Sequence, residues 1–184
     1  LFIANKHDAH WHKGSLLRQA SPQAQRHWLF DPRSLTDKLV AYAAGDFSVS
    51  VLRQRIGRPL FSEARQLGLS HMRHALIREV ALIGQGEPWV YARTVVPLSS
   101  LGGSLKQLHH LGNRSLGSAL FADPTIRRGE LHIAKIGPDY LPALPLLQNS
   151  TPCWGRRSEF TFNHQSLLVT EVFLERLWNN KKPL

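Results

Sequence analysis

A chain of 184 residues with 42% hydrophobic and 20% charged content suits one globular domain, able to bury about 70% of its unfolded surface. The formal net charge of +10 raises the question of nucleic acid. Yet the 23 basic residues are scattered, and no zinc-finger spacing, basic-region heptad or aromatic RNA-binding signature accompanies them, so nucleic acid is not an expected partner.

From the N-terminus, His7-Asp8-Ala9-His10-Trp11-His12 invites a metal reading. Without a second ligand cluster it reads instead as a mobile, solvated segment, and no metal is assigned. Ser15 to Gln19 suits a short helix, and Ser21-Pro22 reads as a cap with Pro at the first helical position, leading towards Trp28-Leu29. Ser34-Leu35-Thr36-Asp37 resembles a capping box and opens a helix through Ala44 that Gly45 ends. Phe47 to Leu52 alternates as a strand, and Arg53 to Ser70 is read as irregular with a short helix over 62–67.

Met72 to Ile83 and Trp89 to Val96 are strands joined by the turn Gly84-Gln85-Gly86-Glu87. Short helices are expected over 102–111 and 116–121, with the glycine-flanked link 111–117 between them offering free amides at a helix start. Glu130 to Ile136 is a strand, and the proline-rich 137–153 a long surface loop. The lone Cys153 excludes an internal disulfide and fits a reducing, cytoplasmic setting; it is placed in that loop and given no chemical role. No apolar run reaches the roughly 18 residues that span a bilayer, so no stable membrane insertion is expected, and no signal-peptide pattern opens the chain. Hairpins and helices in separate runs predict an α+β domain with an antiparallel sheet.

The last hairpin pairs Arg156–Phe162 with Leu167–Leu174 across the turn Asn163-His164-Gln165-Ser166. Strand side chains alternate between faces, so Glu171 shares a row with Leu167, Val169 and Phe173. A carboxylate in an apolar row has a buried partner, lines a cavity that a ligand fills, or sits on an unburied face. Arg78 repeats the pattern beside Leu76, Val80 and Leu82, and an inward arginine must meet an anion because it cannot shed its proton. Arg78 and Glu171 therefore either pair with each other, face solvent, or flank a pocket for a small acid. Arg156 and Arg93 are weaker candidates; a surface acid such as Glu159 is the expected partner of Arg156.

Four stretches, WLFDPRSLTDKL (28–39), LIREVALIGQGEPWVYARTVVP (76–97), LHHLGNRSLGSALF (108–121) and WGRRSEFTFNHQSLLVTEVFL (154–174), resemble the chorismate pyruvate-lyase family and fall in its order. Departures are Ser115 where that family usually has Pro, Glu175 where a Pro commonly follows the last strand, and a longer 137–152 loop. The resemblance implies an extension over 1–27, a domain over 28–175 with about six antiparallel strands and helical flaps closing a buried pocket, and a basic tail over 176–184. It implies ligand contacts at Leu35, Arg78, Leu116 and Glu171, those of Leu35 and Leu116 through backbone amides at helix starts. It further implies a monomer that converts chorismate to 4-hydroxybenzoate and pyruvate at the start of ubiquinone synthesis, without a cofactor. The rival reading is a small-acid-binding effector domain of the same fold; such domains normally follow a DNA-binding helix-turn-helix, and only 27 residues precede Trp28.

Overall fold

The computed structural model describes residues 8–70, 72–101, 111–117, 120, 123–141, 147–148 and 152–179. Among these, eight strands form one antiparallel sheet. Six are long: β2 (Phe47–Gly57), β3 (Ala75–Gly84), β4 (Glu87–Pro97), β6 (His132–Ile136), β7 (Cys153–Phe162) and β8 (Gln165–Phe173). Two residue pairs, β1 (His12–Lys13) and β5 (Arg127–Arg128), add to the margins. The order is β1-β6-β7-β8-β4-β3-β2, with β5 beside β7. The architecture is therefore α+β with an antiparallel sheet, as the separate runs of hairpins and helices predict.

Both long hairpins close on two-residue turns. Gln85 and Gly86 have φ of 53° and 76°, and Asn163 and His164 have φ of 44° and 62°. Positive φ at both central residues twists the turn with the strands, which favours this tight closure. The second turn is shorter than the four residues read from the sequence, because Gln165 and Ser166 already pair with Phe162 and Thr161. The parity of Glu171 is unaffected.

The strand β2 runs five residues beyond the predicted end at Leu52. Its register shifts between Val51 and Arg53, and that bulge breaks the alternation on which the sequence reading relied. The supposed surface loop after Ile136 carries a one-turn helix at Pro138–Tyr140, and Leu147 is buried. Cys153 is not in that loop but opens β7, buried. The predicted helix 102–111 lies outside the described residues but for Leu111, as does half of 116–121, where the described Leu116, Gly117 and Leu120 are helical.

The N-terminal segment from Asp8 onward is part of the fold rather than a solvated tail. Asp8 accepts from the amide and hydroxyl of Ser62 at 2.8 and 2.7 Å, at the start of α4 (Phe61–Gln66). Trp11 lies under the Arg157 guanidinium at 4.5 Å, and β1 extends the sheet beside β6. After it come α1 (Gly14–Leu17) and α2 (Arg26–Leu29). Ser21 does not cap the latter; its hydroxyl donates to the Arg18 carbonyl.

Helix α3 (Leu35–Ala43) starts as its capping residues dictate, with Ser34 Oγ accepting from the Asp37 amide at 3.2 Å. It ends on Ala44 in the left-handed region, followed by Gly45. Its apolar side docks α2 and α3 on the sheet through Trp28, Leu39, Tyr42 and Trp89, whose rings pack edge-on or tilted at 5.3–5.4 Å. Strands β3 and β4 are buried along nearly their whole length, so both faces of the sheet are covered. The site lies on the face that α3 and the 111–117 segment cover.

Candidate active site

On that face the apolar row of β3, Val80 and Leu82, meets Ala92 of β4 and Val169 of β8 as the walls of a cavity with about 510 Å³ of atom-free space, part of it open to solvent. Thr36 at the start of α3, the Arg114–Gly117 segment and Leu120 close over it. The two are joined by a hydroxyl pair, Thr36 Oγ1 and Ser115 Oγ, 2.5 Å apart. The approach is close enough that a Cβ at Gly117 would stand 2.8 Å from Thr36 Oγ1, which explains a glycine there. Ser115, one of the departures from the family pattern, thus supplies a hydrogen bond that a proline side chain could not.

Arg78 and Glu171 both line this cavity. They do not pair with each other. Arg78 is 5% exposed and donates Nη1 to Gln54 Oε1 at 3.1 Å and Nη2 to the carbonyls of Gly112 and Arg114 at 2.7 and 3.3 Å. Every one of these acceptors is neutral, and among the described residues no carboxylate lies within ion-pair distance. Burial works against the charge and holds Arg78 below the ordinary arginine range. Such a group favours an incoming anion.

Glu171 stands across the hairpin from Arg156, directly opposite in register, and Oε2 accepts from Arg156 Nε at 2.6 Å. Arg156 is 1% exposed and donates Nη1 to the carbonyls of Trp28 and Asp31, both at 2.8 Å. The acid is thus held from behind while its other oxygen has no partner among the described residues. The expectation that Arg156 pairs with Glu159 is corrected: Arg156 is fully enclosed, and Glu171 is the carboxylate within reach.

Arg93 leaves the site altogether. Parity places it on the opposite face, where it donates to Glu63 at 2.7 and 3.1 Å and to Glu79 at 2.8 Å, with the Tyr91 hydroxyl also on Glu79. Burial opposes its charge, and Glu63, through its charge and its hydrogen bonds, outweighs that with help from Tyr91 and Tyr140 to raise it above an ordinary arginine. It is a structural knot between α4 and the sheet.

Leu116 lines the cavity, whereas the Leu35 side chain is buried with Trp28 and Leu39, and Thr36, one position on, faces the hollow. The first-turn amides ahead of Asp37 remain open to other acceptors by helix geometry. Thr36, Thr94, Arg114 and Ser115 also line the cavity and were not named as site residues from sequence. Thr94 alone had a readable signal, because it stands directly across β3–β4 from Arg78. Among the described residues no cluster of His, Cys, Asp or Glu is arranged to hold a metal ion.

A helix-capped antiparallel sheet of this order defines a class of α+β fold. Solved structures of that class include a GntR-family transcriptional regulator from Bacillus cereus (TM-score 0.56, 13% identity, covering 76% of this chain and 99% of that one). Another is the C-terminal domain of the histidine utilization repressor from Pseudomonas syringae (TM-score 0.54, 9% identity, 75% and 98%). At these identities the likeness is one of fold alone. Within the class, the chain belongs to the chorismate lyase family, whose model matches residues 5–182. Relatives named "Probable chorismate pyruvate-lyase" are 38% identical in Pseudomonas aeruginosa PAO1 (94% of each chain) and 43% in Azoarcus sp. BH72 (81% of this chain, 82% of that one). A third, from Alcanivorax borkumensis, is 41% identical over 85% of this chain and 72% of its own.

Proposed function

We propose that this chain is a cytoplasmic, monomeric lyase that converts chorismate to 4-hydroxybenzoate and pyruvate, the first step of ubiquinone synthesis. The observation that carries the reading is a buried Arg78, held among the described residues only by neutral acceptors, sharing an apolar-walled cavity with a braced Glu171. That arrangement suits a planar aromatic acid, with its carboxylate at Arg78 and its hydroxyl at Glu171.

In the reaction the bond from the ring to the enolpyruvyl oxygen breaks and its electrons leave with that oxygen. A proton departs from the neighbouring ring carbon that bears the hydroxyl, and the ring becomes aromatic. The released enolate takes up a proton at its methylene carbon to give pyruvate. Aromatisation drives this redox-neutral step, so the protein's part is orientation, charge stabilisation and proton acceptance. Arg78, with the helix-start amides of Leu35 and Leu116, grips the ring carboxylate. The unpartnered oxygen of Glu171 faces the hydroxyl-bearing carbon as base or hydrogen-bond partner.

The test is to incubate the protein with chorismate and follow 4-hydroxybenzoate and pyruvate. Stoichiometric appearance of both is expected, and binding without turnover would instead mark an effector-type acid pocket. Glu171→Gln keeps the shape and removes the base, so kcat should fall on the order of a hundredfold or more. Near-normal turnover by that variant would end the role given to Glu171.

A further inference from the structure

Chorismate carries two carboxylates, and Arg78 accounts for one. The second belongs to the enolpyruvyl ether, on the ring carbon beside the one bearing the hydroxyl. With the ring carboxylate at Arg78 and the hydroxyl at Glu171, this second anion falls at the Glu171 end of the cavity. Of the two weaker arginine candidates from sequence, Arg93 is on the opposite face of the sheet, and Arg156 is committed as the brace of the acid, with Nε on Glu171 and Nη1 on two carbonyls. Arg114 lines the cavity, but its carbonyl accepts from Arg78, which places its backbone at the wrong end.

Arg128 is placed differently. It sits on the two-residue strand β5, opposite Phe160 of β7, and Phe160 lines the cavity. Its Nε donates to Ser158 Oγ at 3.0 Å, and its guanidinium carbon lies 5.6 Å from the centre of the Phe160 ring. The side chain therefore runs along the Arg156-Ser158-Phe160 row of β7, on the cavity's side of the sheet. Nη1 makes only long bonds, to the carbonyls of Asp31 at 3.4 Å and Pro32 at 3.2 Å. The Asp31 carbonyl also accepts from Arg156, which ties Arg128 to the guanidinium that braces Glu171. Among the described residues Nη2 has no acceptor and no carboxylate approaches to ion-pair distance.

The local charges do not cancel. Arg128 and Arg156 stand against the single carboxylate of Glu171, since the Asp31 side chain is already taken by Arg33 and Lys38 at 2.8 and 3.0 Å. Burial, with repulsion from Arg156, pushes Arg128 down to about 10. It still carries its charge at neutral pH, half-buried, attracted by Glu171 and Asp31 from a distance but with no carboxylate at ion-pair distance among the described residues. One further anion at this end would balance the set.

We propose that Arg128 anchors the enolpyruvyl carboxylate of chorismate. The assignment rests on the lyase reading above and gives the pocket a means of telling substrate from product. The product lacks the second carboxylate and gains nothing from Arg128. During the reaction the same anchor holds the departing three-carbon fragment at the acid end of the cavity.

Turnover of chorismate and equilibrium binding of 4-hydroxybenzoate should be measured side by side in the unaltered protein, Arg128→Met and Arg114→Met. Arg128→Met should lower kcat/KM for chorismate about ten- to a hundredfold, chiefly through KM, the loss of one charge-assisted contact. It should leave the Kd of 4-hydroxybenzoate within about twofold. Arg114→Met should lack this split. Unchanged KM in Arg128→Met, or the split falling on Arg114, overturns the anchor. So does equal weakening of both ligands in Arg128→Met and in Arg128→Lys, which keeps stem and charge. If the unaltered protein makes no 4-hydroxybenzoate, the lyase reading falls and the anchor with it; turnover with an unaffected Arg128→Met removes the anchor alone.

Discussion

An arginine buried among carbonyl and amide oxygens, with no carboxylate beside it, is an incomplete electrostatic arrangement, and among the described residues Arg78 is in that state. Arg78→Ala should therefore weaken 4-hydroxybenzoate and chorismate alike, by about tenfold or more, the value of a charge-assisted bond. Titration calorimetry checks this, and unchanged dissociation constants would retire the clamp. Arg156 is a different case, because it binds protein rather than ligand. Arg156→Met leaves Glu171 without its brace, takes the donor from the Trp28 carbonyl and leaves the Asp31 carbonyl only its long bond from Arg128, which should cost about 3–5 kcal/mol. Urea denaturation would show it as a lowered midpoint with an unchanged slope. Where the variant is folded, kcat should fall more than KM rises, because the acid loses its aim.

At the scale of elements, the turn between α2 and α3 is held by Asp31, whose carboxylate takes Arg33 and Lys38 while its carbonyl serves Arg156 and Arg128. The hydrogen bonds from Arg33, working against burial, hold Asp31 well below the usual carboxylate range. Its stabilising contribution is therefore complete above about pH 4, where an unfolded aspartate is already ionised, and is lost as the pH falls towards the depressed folded value. Asp31→Asn should be less stable than the parent at pH 6, and the gap should close in acid; a constant gap across that range would contradict the linkage. Elements also explain what could be read in advance. Arg78 and Glu171 were legible because each lies within an unbroken strand, where a period of two sorts faces without further information. The extension of β2 was hidden by a bulge, and β5 was too short to carry any period. Arg128 stayed invisible for that reason, and the Arg156–Glu171 pair because register across a hairpin depends on where the turn closes. Thr36 and Ser115 meet across 79 positions of chain, a distance at which local patterns are silent.

For the molecule as a whole, Cys153 offers a built-in reporter. It is buried at the start of β7, and burial pushes its thiol up to about 11. Little thiolate exists near neutral pH, and alkylation requires the strand to leave the sheet. Modification in urea should track the unfolding transition seen by fluorescence; a rate in native buffer equal to that of a free thiol would show that β7 opens locally. The sheet that buries this thiol also unites the site. One hairpin supplies the cation at Arg78, the other supplies the acid with its brace, and the β4–β8 ladder alone fixes how they face each other, with Ala92 beside Glu171 and Thr94 beside Val169. A slip of a single residue there would evert Glu171 into the layer that holds Leu168 and Val172, with nearly as many main-chain bonds kept. Half of the pocket would then be turned inside out, so a variant can look well folded by its backbone and still have lost the means to hold an acid at both ends.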